Sequence, residues 1–169
     1  GARERRGLGF GVVVHQRAQH GAVGRGHADV AGSGHIGVGD VGPHARRVGQ
    51  LLFLSGIGPR TPGSNAIPGN VYDDAGRLRE YDIVTQCHSV FANVRAVLEA
   101  SHCRWEWLVD VTVYLTDMSR DFKAYNGVWA EYFPDINKAP CRTTLGITAL
   151  PTPIAIELKC VAAYPESHR

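Results

Sequence analysis

The segment Ile154-Ala155-Ile156-Glu157-Leu158-Lys159-Cys160-Val161 alternates at a period of two. Ile154, Ile156, Leu158 and Cys160 make one apolar face, while Ala155, Glu157, Lys159 and Val161 make a mixed one. Such a strand buries its first face in a core and turns the second to solvent, a cleft or another chain. Working backwards, Cys141 to Thr148 reads as a further strand, joined to the first by Leu150-Pro151-Thr152-Pro153. Asp117 or Ser119 caps a helix on which Phe122, Tyr125, Trp129, Tyr132 and Phe133 share a face, and Pro134 ends it. Leu108 to Leu115, rich in β-branched and aromatic residues, reads as a buried strand. Before it, Asp82 caps a helix of about five turns, whose stripe is Ile83, Cys87, Val90, Phe91, Val94, Val97 and Leu98. Leu51 to Ser55 is a short buried strand between Gly49 and Gly56. Gly56 to Gly69 is a loop, and Asp73-Asp74-Ala75-Gly76 turns a weaker strand pair. The order predicts an α+β fold, one sheet with both helices packed on a single face.

The chain has 169 residues, enough for one domain with a hydrophobic core. Its net charge of +2 is unevenly spread: residues 1–47 carry seven arginines against Glu4, Asp29 and Asp40, leaving −2 for the rest. Residues 48–169 therefore offer no basic surface for a phosphate backbone, which argues against nucleic acid as a partner and against a nuclease or translation inhibitor. Residues 1–41 are built of Gly, Val, His and Arg without a sustained period, and are expected to be a flexible or non-native tail preceding a domain at 42–169. His15, His20, His27 and His35 in that stretch match no metal-ligand spacing.

Cys87, Cys103, Cys141 and Cys160 form no C-x-x-C pair, and Cys87 and Cys160 sit within apolar runs where a thiol acts as a small hydrophobe. Reduced thiols and a cytoplasmic location are expected. No apolar run is long enough to span a bilayer, so no membrane partner is expected.

Two residues could carry chemistry. Arg142 opens its strand after Ala139-Pro140-Cys141, and its planar guanidinium suits either a substrate carboxylate or a surface acid. Glu157 lies in the middle of the apolar terminal strand, beside Lys159. It is either on a solvated face or in a cleft, where burial would raise its pKa and suit it to general acid–base work on water. A simple hairpin about Pro151 would set Arg142 opposite Cys160 and Glu157 opposite Leu145. The two would then lie three positions apart on opposite faces, unless a bulge or a second subunit brought them together.

From about Gly49 to Ala163 the sequence resembles the Rid (YjgF) family of enamine/imine deaminases. The resemblance rests on Leu51-Leu52-Phe53-Leu54-Ser55-Gly56, on Gln86, Asn93-Val94 and Leu98-Glu99-Ala100, and on Asp110-Val111-Thr112-Val113-Tyr114-Leu115. It continues through Asp121-Phe122, Tyr125-Asn126 and Tyr132-Phe133 to Ala139-Pro140-Cys141-Arg142-Thr143-Thr144, Leu150-Pro151 and Ile156-Glu157-Leu158. It implies a chorismate-mutase-like subunit in a homotrimer with clefts between subunits, and no metal or organic cofactor. It implies further that Arg142 binds a small carboxylate substrate and that Glu157 positions or activates water, with Gly56 and Thr144 as further substrate contacts.

Pro43-His44-Ala45-Arg46-Arg47 and Ser55-Gly56-Ile57-Gly58-Pro59-Arg60, with Ala139 to Thr144, are similar to the 2-aminomuconate deaminase branch. That branch implies a dicarboxylate substrate, for which Arg46, Arg47 or Arg60 would supply a second cation. The alternatives are a general 2-enamine/2-imine acid deaminase and a non-catalytic carboxylate-binding trimer. Two departures from many relatives stand out: His44 follows Gly42-Pro43 where they carry tyrosine, and Thr144 stands where they carry cysteine. No family-like strand is legible upstream of Gly42.

Overall fold

The computed structural model describes residues 44–165 and the backbone of His35–Ile36. Apart from that pair, the expected tail lies outside the described residues, as do His15, His20 and His27. The elements in chain order are β1 (His35–Ile36), β2 (Ala45–Val48), β3 (Leu51–Leu54), β4 (Asn70–Tyr72), β5 (Leu78–Tyr81), α1 (Ile83–Ala100), β6 (Leu108–Leu115), α2 (Met118–Tyr132), β7 (Cys141–Gly146) and β8 (Ile156–Ala163). A 3-10 turn at Trp105–Trp107 leads into β6. The α+β class holds. A six-stranded mixed sheet runs β1-β2-β3-β8-β6-β7, and β4 and β5 form a separate hairpin.

Both helices begin where a side chain can satisfy their free N–H groups. Asp82 accepts from the backbone of Val84 and Thr85, and Asp117 from that of Arg120, so Asp117 rather than Ser119 is the second cap. The α1 stripe is buried from Ile83 to Leu98. It packs with Tyr125, Val128 and Trp129 of α2 on one sheet face, against Leu52, Leu54, Val111, Val113, Leu115, Ile156, Leu158, Cys160 and Ala162. Phe122 departs from the expected stripe and is exposed. Cys87, Cys103 and Cys160 are buried free thiols and Cys141 is an exposed one. Among the described residues no helix is long and apolar enough to cross a membrane.

Three details differ from the sequence reading. First, β7 and β8 do not form a hairpin. β7 pairs in parallel with β6, through α2 as crossover, and β8 pairs antiparallel with β6 on its other edge. A strand–helix–strand crossover is the usual route to a parallel pair, and it leaves β8 to fill the slot between β3 and β6. Second, Ala45–Val48 is a strand, although three of its four residues are exposed and so give no apolar alternation. Third, His35 and Ile36 pair with Arg46 and Ala45, so the sheet extends upstream of Gly42.

Candidate active site

Arg142 and Glu157 meet the same strand from either side. Arg142 is paired with Val111 of β6, and Glu157 with Tyr114. Three positions along a strand reverse the face. Arg142 therefore lies on the helix side, and Glu157 on the face that neither α1 nor α2 covers. The parity foreseen from a hairpin survives, although β6 stands between the two strands.

On the helix side, Arg142 donates from Nη1 to Asn126 Oδ1 at 2.9 Å, and its guanidinium carbon lies 4.7 Å from the Trp129 ring centre and 5.7 Å from that of Tyr125. Asn126 and Trp129 both come from α2, so the helix holds the guanidinium in a fixed plane while leaving other N–H groups at an exposed edge. Thr144 shares this side, since Thr143 intervenes between it and Arg142. The Tyr125 hydroxyl is buried; burial pushes its pKa up, and the nearby Arg142 and Thr144 oppose that rise.

On the other face, Glu157 lines an open pocket of about 330 Å³ with Gly56, Tyr114, Ile147, Ala149, Leu150 and Lys159. Burial raises the carboxyl above its ordinary value of 4.5. Gly56 is what makes room for it: a methyl group there would meet the Glu157 carboxylate carbon at 2.9 Å and overlap Oε1. Gly56 is positioned by the strand-like continuation of β3, where Ile57 and Leu158 exchange backbone hydrogen bonds.

The three arginines read as a second cation site fall in different places. Arg46 is registered with Phe53, and Phe53 with Val161, so it shares the Glu157 face. Arg47 points the other way, donating to the Gly49 carbonyl and lying 4.0 Å from the Tyr164 ring centre. Arg60 lies in the loop whose carbonyls at Gly58 and Arg60 accept from Asn93. Tyr114, Lys159, Asn126 and Trp129 were given no site role from the sequence. For Tyr114 and Lys159 the signal was there, as both fall on the opposite parity to the buried residues of their strands.

The family model described as Endoribonuclease L-PSP matches residues 43–164. Protein HMF1 of Saccharomyces cerevisiae is 32% identical over 120 residues, covering 71% of this chain and 81% of its own length. Reactive Intermediate Deaminase A, chloroplastic, of Arabidopsis thaliana is 31% identical over 124 residues, covering 72% of this chain and 59% of that protein. The crystal structure of YyfA from Yersinia pestis, a protein of the conserved Rid family, superposes with a TM-score of 0.58 at 27% identity, covering 75% of this chain and 90% of that one.

Proposed function

This chain belongs to the Endoribonuclease L-PSP family, that of the Rid (YjgF) proteins, and from that premise we propose that it hydrolyses the C–N bond of a small enamine or imine bearing a carboxylate. The products are ammonia and the oxo acid. The reading is supported by the relative named Reactive Intermediate Deaminase. The observation that carries it in this chain is Glu157, a part-buried carboxylate with a raised pKa, seated against Gly56 in an open pocket.

The chemistry needs few groups. An enamine takes a proton on carbon and gives up one from nitrogen to become an imine. Water adds to the imine carbon as Glu157 accepts one of its protons, and the imine nitrogen gains a proton. The carbinolamine nitrogen is protonated again, the C–N bond breaks with its electrons going to ammonia, and the hydroxyl gives up its proton to water as it closes to a carbonyl. Arg142 holds the adjacent carboxylate and so fixes the reacting carbon against the water. Thr144 and Gly56 would contact the same substrate.

Arg142 and Glu157 lie on opposite faces of the sheet, which supports a site drawn from more than one chain. The proposed site is therefore shared between copies, Arg142 from one and Glu157 from the next. The helix-free face is suited to such contact, since Val48, Leu51, Phe53 and Leu145 expose apolar side chains on it. Three copies arranged head to tail would close the ring. The finer proposal for the substrate is 2-aminomuconate, a dicarboxylate. Ammonia release from freshly generated 2-aminomuconate and from imines of simple amino acids tests the reading. A protein that only binds small carboxylates would release none above the uncatalysed rate.

A further inference from the structure

The Glu157 pocket contains a cation that neither the sequence reading nor the family comparison assigns. Lys159 lies two residues beyond Glu157 on the same face of β8, about 7 Å along the strand. Its Nζ donates to the carbonyl of Leu54, at the end of β3. The Glu157 carboxylate packs against Gly56, two residues further along that same segment. Ammonium and carboxylate thus converge on Leu54–Gly56 from neighbouring positions, and both line the pocket.

The two do not neutralise each other. No ion pair joins Lys159 to Glu157 or to any other acid among the described residues. The rise in the Glu157 pKa is due to burial. An ammonium has three donors, and the Leu54 carbonyl occupies one while fixing where the charge sits. Two donors remain in an open pocket that the Glu157 carboxylate also lines, so one small molecule can meet both groups.

We propose that Lys159 receives the second carboxylate of the substrate and sets the preference for a dicarboxylate. This rests on the deaminase reading, in which Arg142 of a neighbouring copy takes the first carboxylate. Lys159 then does what the sequence reading assigned to Arg46, Arg47 or Arg60, and does it from within the pocket.

The test separates this inference from that reading. Turnover of 2-aminomuconate and of the imine derived from alanine is measured for the wild type, Lys159→Met and Lys159→Arg. In parallel, calorimetry measures binding of cis,cis-muconate and of its monomethyl ester, neither of which can be deaminated. The ratio of kcat/KM for the diacid over the monoacid should fall roughly ten- to a hundredfold in Lys159→Met and recover in Lys159→Arg, with the loss in KM rather than kcat. Muconate should bind more tightly than its ester to the wild type, and that preference should vanish in Lys159→Met. If no substrate is turned over but the muconate preference depends on Lys159, the deaminase reading falls and the inference stands. Equal loss for both substrates, or no preference for muconate in the wild type, overturns the inference.

Discussion

Arg142 and Glu157 flank β6 with their registers three residues apart, Arg142 beside Val111 and Glu157 beside Tyr114. Odd spacing on a pleated strand sends them to opposite faces. That separation makes Arg142 part of a helix-supported binding edge and Glu157 part of a pocket on the bare face. Neither half completes the proposed deaminase site.

Replacing Glu157 by Gln should leave carboxylate binding in place and remove most turnover. The amide fills the same volume against Gly56 but accepts no proton from water. A loss of about 10²–10⁴-fold in kcat is typical of a general acid–base residue. Steady-state kinetics with ammonia detection, beside muconate binding by calorimetry, checks both halves. Near-normal turnover would make Glu157 a solvated strand residue.

Gly56→Ala should act on the same carboxylate without touching the core. The added methyl group overlaps Glu157 Oε1, the far end of a flexible side chain, so the side chain swings aside and the backbone need not move. Activity should fall nearly as far as in Glu157→Gln, while the melting temperature stays within a few degrees. A large drop in melting temperature would instead assign Gly56 a backbone role.

Both helices, the cap Asp82 and, as one of two candidates, the cap Asp117, and the two faces of β8 were legible because burial, capping and the two periodicities leave marks on single segments. Strand partnership was not. Leu150-Pro151-Thr152-Pro153 joins two strands that sit on either edge of β6, and nothing local distinguishes this from a hairpin. Ala45–Val48 was hidden because an edge strand with three exposed residues carries no alternation. At the site, Arg142 and Glu157 were legible through the family resemblance, and their opposite parity through arithmetic. Lys159 read only as a neighbour of Glu157 on a face that was either solvated or part of a cleft, because only the fold brings β3 and Gly56 alongside it.

Asp121 contributes to the pH dependence of stability, as does Glu157. Asp121 is buried at the start of α2, where Oδ2 accepts from the Tyr81 hydroxyl at 2.7 Å. Burial raises its pKa above the ordinary 3.8, against the lowering effects of Tyr81 and Arg120. A carboxyl with a raised folded pKa binds its proton more tightly in the folded state, so stability falls as pH rises from the ordinary value through the raised one. Asp121→Asn keeps an acceptor for Tyr81 and removes the charge. Its melting temperature relative to wild type should therefore climb as pH rises above about 4 and level off above the raised pKa. Asp73, Asp82 and Asp135, whose pKa values are lowered, act below that range and are common to both proteins. A difference that shrinks with rising pH would contradict the assignment.

The shared site is tested most directly by complementation. Arg142→Ala and Glu157→Gln are each made, each shown to be inactive in ammonia release, then unfolded together in equal amounts and refolded. If every site takes Arg142 from one copy and Glu157 from the next, random reassembly restores about one quarter of wild-type activity, since one junction in four pairs an intact arginine with an intact glutamate. If both residues served a substrate within one chain, no mixture of the two variants would regain activity, and the mixture would stay as inactive as its parts.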